Sequence, residues 1–110
     1  AENFISAFSG CSGLKEIPEN LFKHNINVKN FRQTFSGCKT LKTIPDNLFK
    51  YNINAKDFQT TFSNCVGLTT ISDKVIGDVE RNRRTTGQVS GIFRNCRAAS
   101  NYNSLPNYMK

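Results

Sequence analysis

The sequence of 110 residues has few of the residue types that catalytic and membrane proteins use most. Tryptophan is absent, and histidine and methionine occur once each. No apolar run approaches the ~20 residues that a membrane-spanning helix needs, which excludes such a helix within this sequence. Acidic residues are also scarce: 8 aspartates and glutamates stand against 15 lysines and arginines, for a net charge of +7. This excess of positive charge favours acidic partners in general.

What the sequence does contain is a repeat of 27 residues. Residues 3–29 read NFISAFSGCSGLKEIPENLFKHNINVK and residues 30–56 read NFRQTFSGCKTLKTIPDNLFKYNINAK, and the two share 18 of 27 positions without a gap. The pattern continues over 57–76, is interrupted by four inserted residues within 77–88, and returns over 89–96. Repeats of this length are typical of solenoids, in which stacking buries apolar faces that a single unit leaves exposed.

We therefore predict one repeat domain over residues 1–110. It comprises two full units, a third unit with an insertion, a partial fourth unit and a C-terminal cap: residues 3–29, 30–56, 57–88 with the insertion at 77–88, 89–96 and 97–110. Because the units on either side of the insertion must still stack, we expect the insertion to form an exposed loop outside the stack.

The second unit predicts the local structure. Phe31, Phe35 and Cys38 recur at i, i+4 and i+7, which indicates a helix of about two turns. Residues 41–44 (LKTI) stand before a proline, which favours an extended backbone and predicts a very short parallel strand. Phe35 and Phe62 occupy equivalent positions in consecutive units, so we expect both rings to be buried and in contact.

The string Val28-x-x-Phe31-x-x-Thr34-Phe35-Ser36-Gly37-Cys38-x-x-Leu41-x-x-Ile44 resembles the bacterial BspA-like leucine-rich repeats, and among them the short repeat called domain of unknown function 285. The resemblance covers residues 3–76 and part of 89–96. It implies an α/β fold, a right-handed leucine-rich-repeat-like solenoid with short helices and very short parallel strands. It also implies a secreted or cell-surface bacterial protein that acts in adhesion. The IPxxLF segment is similar to repeats of phage tail fibres as well, which leaves a virion location open.

The four cysteines fall one to each unit, at Cys11, Cys38, Cys65 and Cys96. A structural zinc ion needs four ligands around one point, and a disulfide needs two converging Cβ vectors. Equivalent side chains of stacked units instead form a line and point the same way. We therefore expect a column of buried free thiols in preference to a zinc site or disulfides.

The sequence shows no catalytic constellation. The single histidine, His24, is replaced by Tyr51 and Asp78 at the equivalent positions of the later units. No Gly-x-Ser-x-Gly motif, glycine-rich phosphate loop or metal-spaced histidine pair occurs. We expect a protein that is not an enzyme, with no cofactor and no metal site.

Basic residues supply the candidate ligand surface. One set occupies equivalent positions and is expected to project from a single face of the stack: Lys15, Lys42 and Thr69. A second set lies in the insertion, where it forms either a solvated loop or a contact for an anionic ligand: Arg81, Arg83 and Arg84.

Three functions are consistent with these features. The first is a protein-interaction or adhesion module that binds a protein or glycan on a host or neighbouring cell. The second is a binder of an anionic polymer, either nucleic acid or acidic polysaccharide, through the basic surface. The third is a structural piece of a phage tail fibre. The first has the strongest support, because repeat stacks present extended surfaces whose exposed positions vary without disturbing the core.

Overall fold

The computed structural model of the protein describes residues 3–85 and 88–110 and contains one α-helix and two short 3-10 helices. Helix α1 spans Asp73–Thr85, and the 3-10 helices span Tyr102–Ser104 and Asn107–Met109. Within the described residues, β-structure is limited to one-residue bridges. Turns and irregular segments form the rest. No helix in the described part of the chain is long and apolar enough to cross a membrane.

Parallel bridges join the units into a stack. They link Asn3 to Asn30, Asn30 to Asp57, and Asp57 to Gln88. Since the bridged residues are separated by one repeat each, every unit lies against the next in the same orientation, and the fourth unit begins at Gln88.

The prediction of an α/β solenoid, with a short helix and a short strand in each unit, is wrong. Residues 32–37, which the apolar spacing predicts to be helical, form turns, and residues 41–44 form no strand. In the described residues the only α-helix belongs to the third unit. The reason lies in the backbone hydrogen bonds of the turn segments.

Backbone N–H groups of the second unit alternate between two kinds of acceptor. At every second residue the N–H donates to the third unit over 2.8–3.1 Å: Phe31 to Asp57, Gln33 to Gln59, Phe35 to Thr61 and Gly37 to Ser63. The residues between them donate three positions back over 3.2 Å: Thr34 to Phe31, Ser36 to Gln33 and Cys38 to Phe35. These buried amides are therefore paired without either a helix or a strand.

Positive φ angles at Gln33 (57°) and Gly37 (76°) shape these turns. Each residue stands third in a four-residue turn, where a type II turn requires a positive φ. An α-helix needs a φ near −63°, so the two residues prevent a helix here. The first and third units repeat the feature at equivalent positions: Ser6, Gly10, Thr60 and Asn64. The i, i+4, i+7 spacing is thus satisfied by successive turns, which bury Phe31, Phe35 and Cys38 together.

All nine phenylalanines stack in three columns along the molecule. The columns are Phe8, Phe35, Phe62 and Phe93; Phe4, Phe31 and Phe58; and Phe22 and Phe49. The predicted contact between Phe35 and Phe62 is confirmed: both rings are buried, with centroids 5.4 Å apart and an interplanar angle of 4°.

The third column locks the other two together. The ring centre of Phe49 lies 4.9 Å from those of Phe31 and Phe58 in the second column, edge-on at 60° and 73°, and 6.1 Å from that of Phe62 in the first column. Such edge-to-face pairs contribute about 0.5–1.5 kcal/mol beyond the area that they bury. The core is therefore a lattice of rings in which each unit contacts the next through stacked faces and crossed edges.

Helix α1 replaces the exposed loop that the sequence predicts for the insertion, and that prediction is wrong. Val75, Val79 and Asn82 are buried at i, i+4 and i+7, so one side of the helix packs into the stack. A helix rises only about 1.5 Å per residue, less than half the rise of an extended chain, so it takes up the added residues over a short distance. Residues 86 and 87 of the insertion lie outside the described residues.

The two ends of the stack differ. At the C-terminal end, the N–H groups of Gly91 and Phe93 donate to the carbonyls of Tyr108 and Met109, both over 2.8 Å. The tail thus accepts the hydrogen bonds that a further unit would accept. At the other end, Phe22 and Val28 of the first unit are buried, but five of its core side chains are only partly buried: Phe4, Phe8, Cys11, Leu14 and Leu21.

Replacement of Phe35 by alanine tests the stacked core. We expect Phe35→Ala to lower the free energy of unfolding by about 3–5 kcal/mol, because it opens a cavity between two stacked rings. Phe8→Ala in the same column is the matched control, and its smaller cost reflects the partial exposure of Phe8. Urea denaturation measures both. Equal losses, or no loss for Phe35→Ala, would contradict the stacked core.

Candidate functional site

Lys15, Lys42 and Thr69 form a row on the outside of the stack. The N–H of Lys42 donates to the carbonyl of Lys15 over 3.4 Å, and the N–H of Thr69 donates to that of Lys42 over 3.1 Å. All three side chains are exposed. The structure therefore brings these residues together, one per unit, and holds them there by backbone hydrogen bonds.

The neighbours of Lys42 explain why its side chain points outward. Leu41 and Ile44 are buried in the core. The hydroxyl of Thr40 donates to the carbonyls of Ser12 and Leu14 over 2.6 and 3.0 Å, which secures this stretch to the first unit. Lys42 stands between buried positions and has only the outer side available.

Arg81 lies on α1 and is engaged in several contacts. Its guanidinium forms an ion pair with Asp78 at 3.4 Å and donates to the side chain of Asn82 at 3.0 Å and to the carbonyl of Phe49 at 3.4 Å. Burial raises the pKa of the Asp78 carboxyl, while the positive charges of Arg81, Lys74 and Lys50 oppose that rise. Arg81 therefore holds α1 against the second unit and is not the free cation of a solvated loop.

Arg83 is also partnered, and it joins α1 to the C-terminal tail. Its Nε donates to both carboxylate oxygens of Glu80 at 3.2 Å, and its guanidinium lies 4.6 Å from the ring centre of Tyr108. The hydroxyl of Tyr108 donates to the same carboxylate. Partial burial and the contact with Glu80 raise the pKa of Tyr108.

Arg84 differs from the other two arginines of the insertion. It is exposed and, within the described residues, makes no hydrogen bond or ion pair. No hydrogen bond or ion pair of the described chain joins these arginines to the row of Lys15, Lys42 and Thr69. Of the three arginines predicted to contact an anionic ligand, Arg84 alone is thus left without a partner among the described residues.

The predicted column of stacked thiols is confirmed. Cys11 is half-buried, whereas the other three of the four thiols are buried and donate to a phenylalanine carbonyl of the preceding unit: Cys38 to Phe8 at 3.2 Å, Cys65 to Phe35 at 3.1 Å and Cys96 to Phe62 at 3.1 Å. Burial raises the pKa of Cys38 and of Cys65, and raises that of Cys96 to about 12. Among the described residues no three metal-binding side chains come close enough to hold an ion.

The exposure of Ile26 and Ile53 is not predicted from the sequence. Ile26 and Ile53 are 51% and 64% exposed, whereas Asn52 beside them is fully buried. The side chain of Asn52 donates to the carbonyls of Phe22 and Asn25, which accounts for its inward position. The Asn-Ile-Asn string that occurs in both full units is the signal for this inversion.

One apolar cleft of about 210 Å³ opens beside the first unit. It is lined by aliphatic and aromatic side chains and a proline: Phe8, Leu14, Ile17, Pro18, Leu21 and Phe35. Binding pockets for small molecules are usually larger and carry polar groups that orient the ligand. The cleft provides apolar contact alone.

The cysteine column predicts a graded reactivity toward a thiol reagent such as Ellman's reagent. We expect Cys11, the half-buried member, to react first in the native protein, because the others are buried and their raised pKa values keep the thiols protonated. Cys11→Ser should remove the fast phase and Cys65→Ser should leave it. Denatured, unreduced protein should show four reactive groups. A fast phase that survives Cys11→Ser would contradict this geometry.

Comparisons with known proteins give a partial likeness to a solved structure. No family model matches the chain, and no curated protein matches it. The crystal structure of the T. pallidum leucine-rich repeat protein (TpLRR) is similar with 20% identity and a TM-score of 0.48, over 86% of this chain and 37% of that chain. The chain thus spans little more than a third of that protein. A leucine-rich repeat protein is therefore among the structures that this chain resembles, and the BspA-like resemblance stays a prediction.

Proposed function

We propose that the chain is a non-enzymatic protein-interaction module that serves in adhesion, as part of a secreted or cell-surface bacterial leucine-rich repeat protein. Its ligand is a protein or glycan on a host or neighbouring cell. The observation that carries the proposal is the row of Lys15, Lys42 and Thr69, whose backbones are hydrogen-bonded in sequence while their side chains stay exposed.

Such a row suits recognition because hydrogen bonds hold its backbone positions in place before a ligand binds. A preorganised surface loses little conformational entropy when it binds, and this leaves more of the contact energy for affinity. The same row is free to vary, since exposed residues of a repeat stack do not contribute to the core. Glu16, Thr43 and Thr70 run beside it and are also exposed, which widens the surface.

A binding screen with a row variant tests the proposal. We expect the purified protein to bind at least one member of a panel of matrix proteins, glycans and whole bacterial cells. The variant Lys15→Ala/Lys42→Ala/Thr69→Ala should weaken that binding by about tenfold or more, the loss expected for contacts near the centre of an interface. Lys39→Ala/Lys74→Ala, which removes two exposed cations outside the row, is the control.

Two results would contradict the proposed function. One is failure to bind any member of the panel together with a hydrolase activity in the purified protein. The other is binding that the row variant and the control weaken equally, because the row would then have no special part. Melting temperatures of both variants should match that of the unaltered protein, since the replaced side chains are exposed.

Binding of an anionic polymer is the second candidate function, and the local charge favours it. Residues 20–56 carry seven lysines and arginines and one acidic residue, Asp46. Phosphate and sulfate groups attract such a surface regardless of their order along the polymer. Nucleic acid and acidic polysaccharide share this chemistry.

Salt dependence separates this function from general solubility. If the chain binds an anionic polymer, it should stay on heparin or DNA resin above ~150 mM salt and its affinity should fall linearly with the logarithm of salt concentration. Arg84→Ala should lower the elution salt, because Arg84 is exposed and unpaired among the described residues. Arg32→Ala should lower it as well, since Arg32 is an exposed member of the basic stretch 20–56, whereas Arg97→Ala, an exposed arginine outside that stretch, is the control matched in charge. Elution below physiological salt would argue against the function.

A further inference from the structure

One side of the stack brings residues 23–29 of the first unit against residues 50–56 of the second. The side chain of Asn52 donates to the carbonyl of Asn25 at 2.9 Å, and that of Asn54 donates to the carbonyl of Ile26 at 3.0 Å. The N–H of Lys56 donates to the carbonyl of Lys29 at 2.8 Å. These three bonds hold the two stretches in register. We call the surface formed by residues 23–29 and 50–56 the lysine–isoleucine face.

The face exposes aliphatic side chains at equivalent positions. Ile26 is 51% exposed and Ile53 is 64% exposed, one unit apart. Isolated exposed apolar residues are normal on protein surfaces, but adjacent ones rimmed by polar groups mark an interaction site. The stack itself does not require isoleucine here, because buried Val28 and Ala55 supply the core contacts of this stretch.

Lysines border the two isoleucines on both sides. Three positions before each isoleucine stands Lys23 or Lys50, and three positions after it stands Lys29 or Lys56. All four are exposed, and within the described residues none takes part in an ion pair. The stretches 20–30 and 47–56 contain no acidic residue. The face therefore presents an apolar centre bordered on both sides by lysines, of which Lys50 is near enough to Asp78 of α1 to oppose the rise of that carboxyl's pKa.

The first and second units share most of the exposed residues of this face. On this face the lysines, the isoleucines and the asparagine after each isoleucine are the same in both units. Elsewhere, several exposed positions change from the first unit to the second, as Ile5 becomes Arg32 and Glu16 becomes Thr43, although Lys15 is kept as Lys42. The residues that both units share on this face thus include two isoleucines that stay exposed to solvent.

We propose that the lysine–isoleucine face docks an acidic protein segment in which aliphatic side chains alternate with carboxylates. The aliphatic groups would cover Ile26 and Ile53, and the carboxylates would pair with the bordering lysines. This rests on the proposed protein-interaction function and gives it a ligand class. A sulfated polysaccharide or nucleic acid satisfies the lysines but leaves the isoleucines in water, because an aliphatic side chain neither bonds to sulfate nor stacks on a base.

A fluorescent peptide of four Glu-Leu-Asp repeats is the probe, and a peptide with serine in place of leucine is its control. Anisotropy titration should show binding of the leucine peptide by the full chain and much weaker binding of the serine peptide. Ile26→Ser/Ile53→Ser should weaken binding of the leucine peptide by roughly tenfold, because each replacement removes apolar area that the leucine side chains would cover. Ile5→Ser/Val66→Ser replaces two apolar residues that are 45% and 50% exposed outside the face, and it should leave binding unchanged.

A charge variant supports the test independently of the isoleucines. Lys23→Gln/Lys50→Gln should weaken binding of the same peptide and reduce its salt dependence, while Lys39→Gln/Lys74→Gln, two exposed lysines outside both the face and the row, should not. This pair keeps the test decisive if the isoleucine variant fails to fold, which circular dichroism would reveal.

Several outcomes would overturn the docking proposal. No binding of the leucine peptide at ~1 mM, the weak end of measurable association, is one. Equal loss in the face variants and their controls is another, and it leaves the wider protein-interaction function standing. Heparin binding that is tighter than peptide binding and insensitive to Ile26→Ser/Ile53→Ser would instead identify the face as a polyanion site.

Discussion

The stack depends on the way that successive backbone amides divide their hydrogen bonds. Along the turns of the second unit, the N–H groups of Phe31, Gln33, Phe35 and Gly37 donate to the third unit, and the amides between them close turns within their own unit. Every unit thus holds its own shape and its neighbour with the same short stretch of chain. The C-terminal tail follows the same rule, because Tyr108 and Met109 accept the bonds of the fourth unit.

This arrangement accounts for the polar residues buried among the phenylalanines. Thr34, Cys38 and Asn52 each donate a side-chain hydrogen bond to a carbonyl 30 residues earlier, over 2.9 to 3.2 Å. These carbonyls also accept a backbone N–H three residues further on, so each side-chain donor bonds to a carbonyl oxygen that has a second lone pair available. Asn82 repeats the role on α1, where its side chain donates to the carbonyl of Asn52 at 3.1 Å. The third unit thus has a helix where the second has turns, but its buried asparagine also donates to a carbonyl 30 residues earlier.

The same geometry separates the surface from the core. Equivalent exposed residues fall into rows because backbone bonds align the units, as they do for Lys15 and Lys42 and for the paired isoleucines. The outer side of α1 is different, since Arg81 and Arg83 are used to hold the helix to the second unit and to the tail. Exposed ion pairs of this kind contribute about 0–1 kcal/mol each, so their main effect is to orient the side chains. The lysines of the row are therefore exposed, whereas Arg81 and Arg83 of α1 are engaged in contacts within the protein.

The sequence by itself determined the repeat, the stacking of Phe35 on Phe62, the column of thiols and the row that contains Lys42, because residues at equivalent positions of stacked units must become neighbours. Only the tertiary structure decided how each unit is built. The spacing of Phe31, Phe35 and Cys38 reports which side chains face inward, and a helix and a run of turns satisfy it equally. The choice between them depends on whether an amide bonds within its own unit or to the next, which a single unit does not specify. The partners of Arg81 and Arg83 follow from the same cause, since they exist only once the insertion has become a helix packed against the stack.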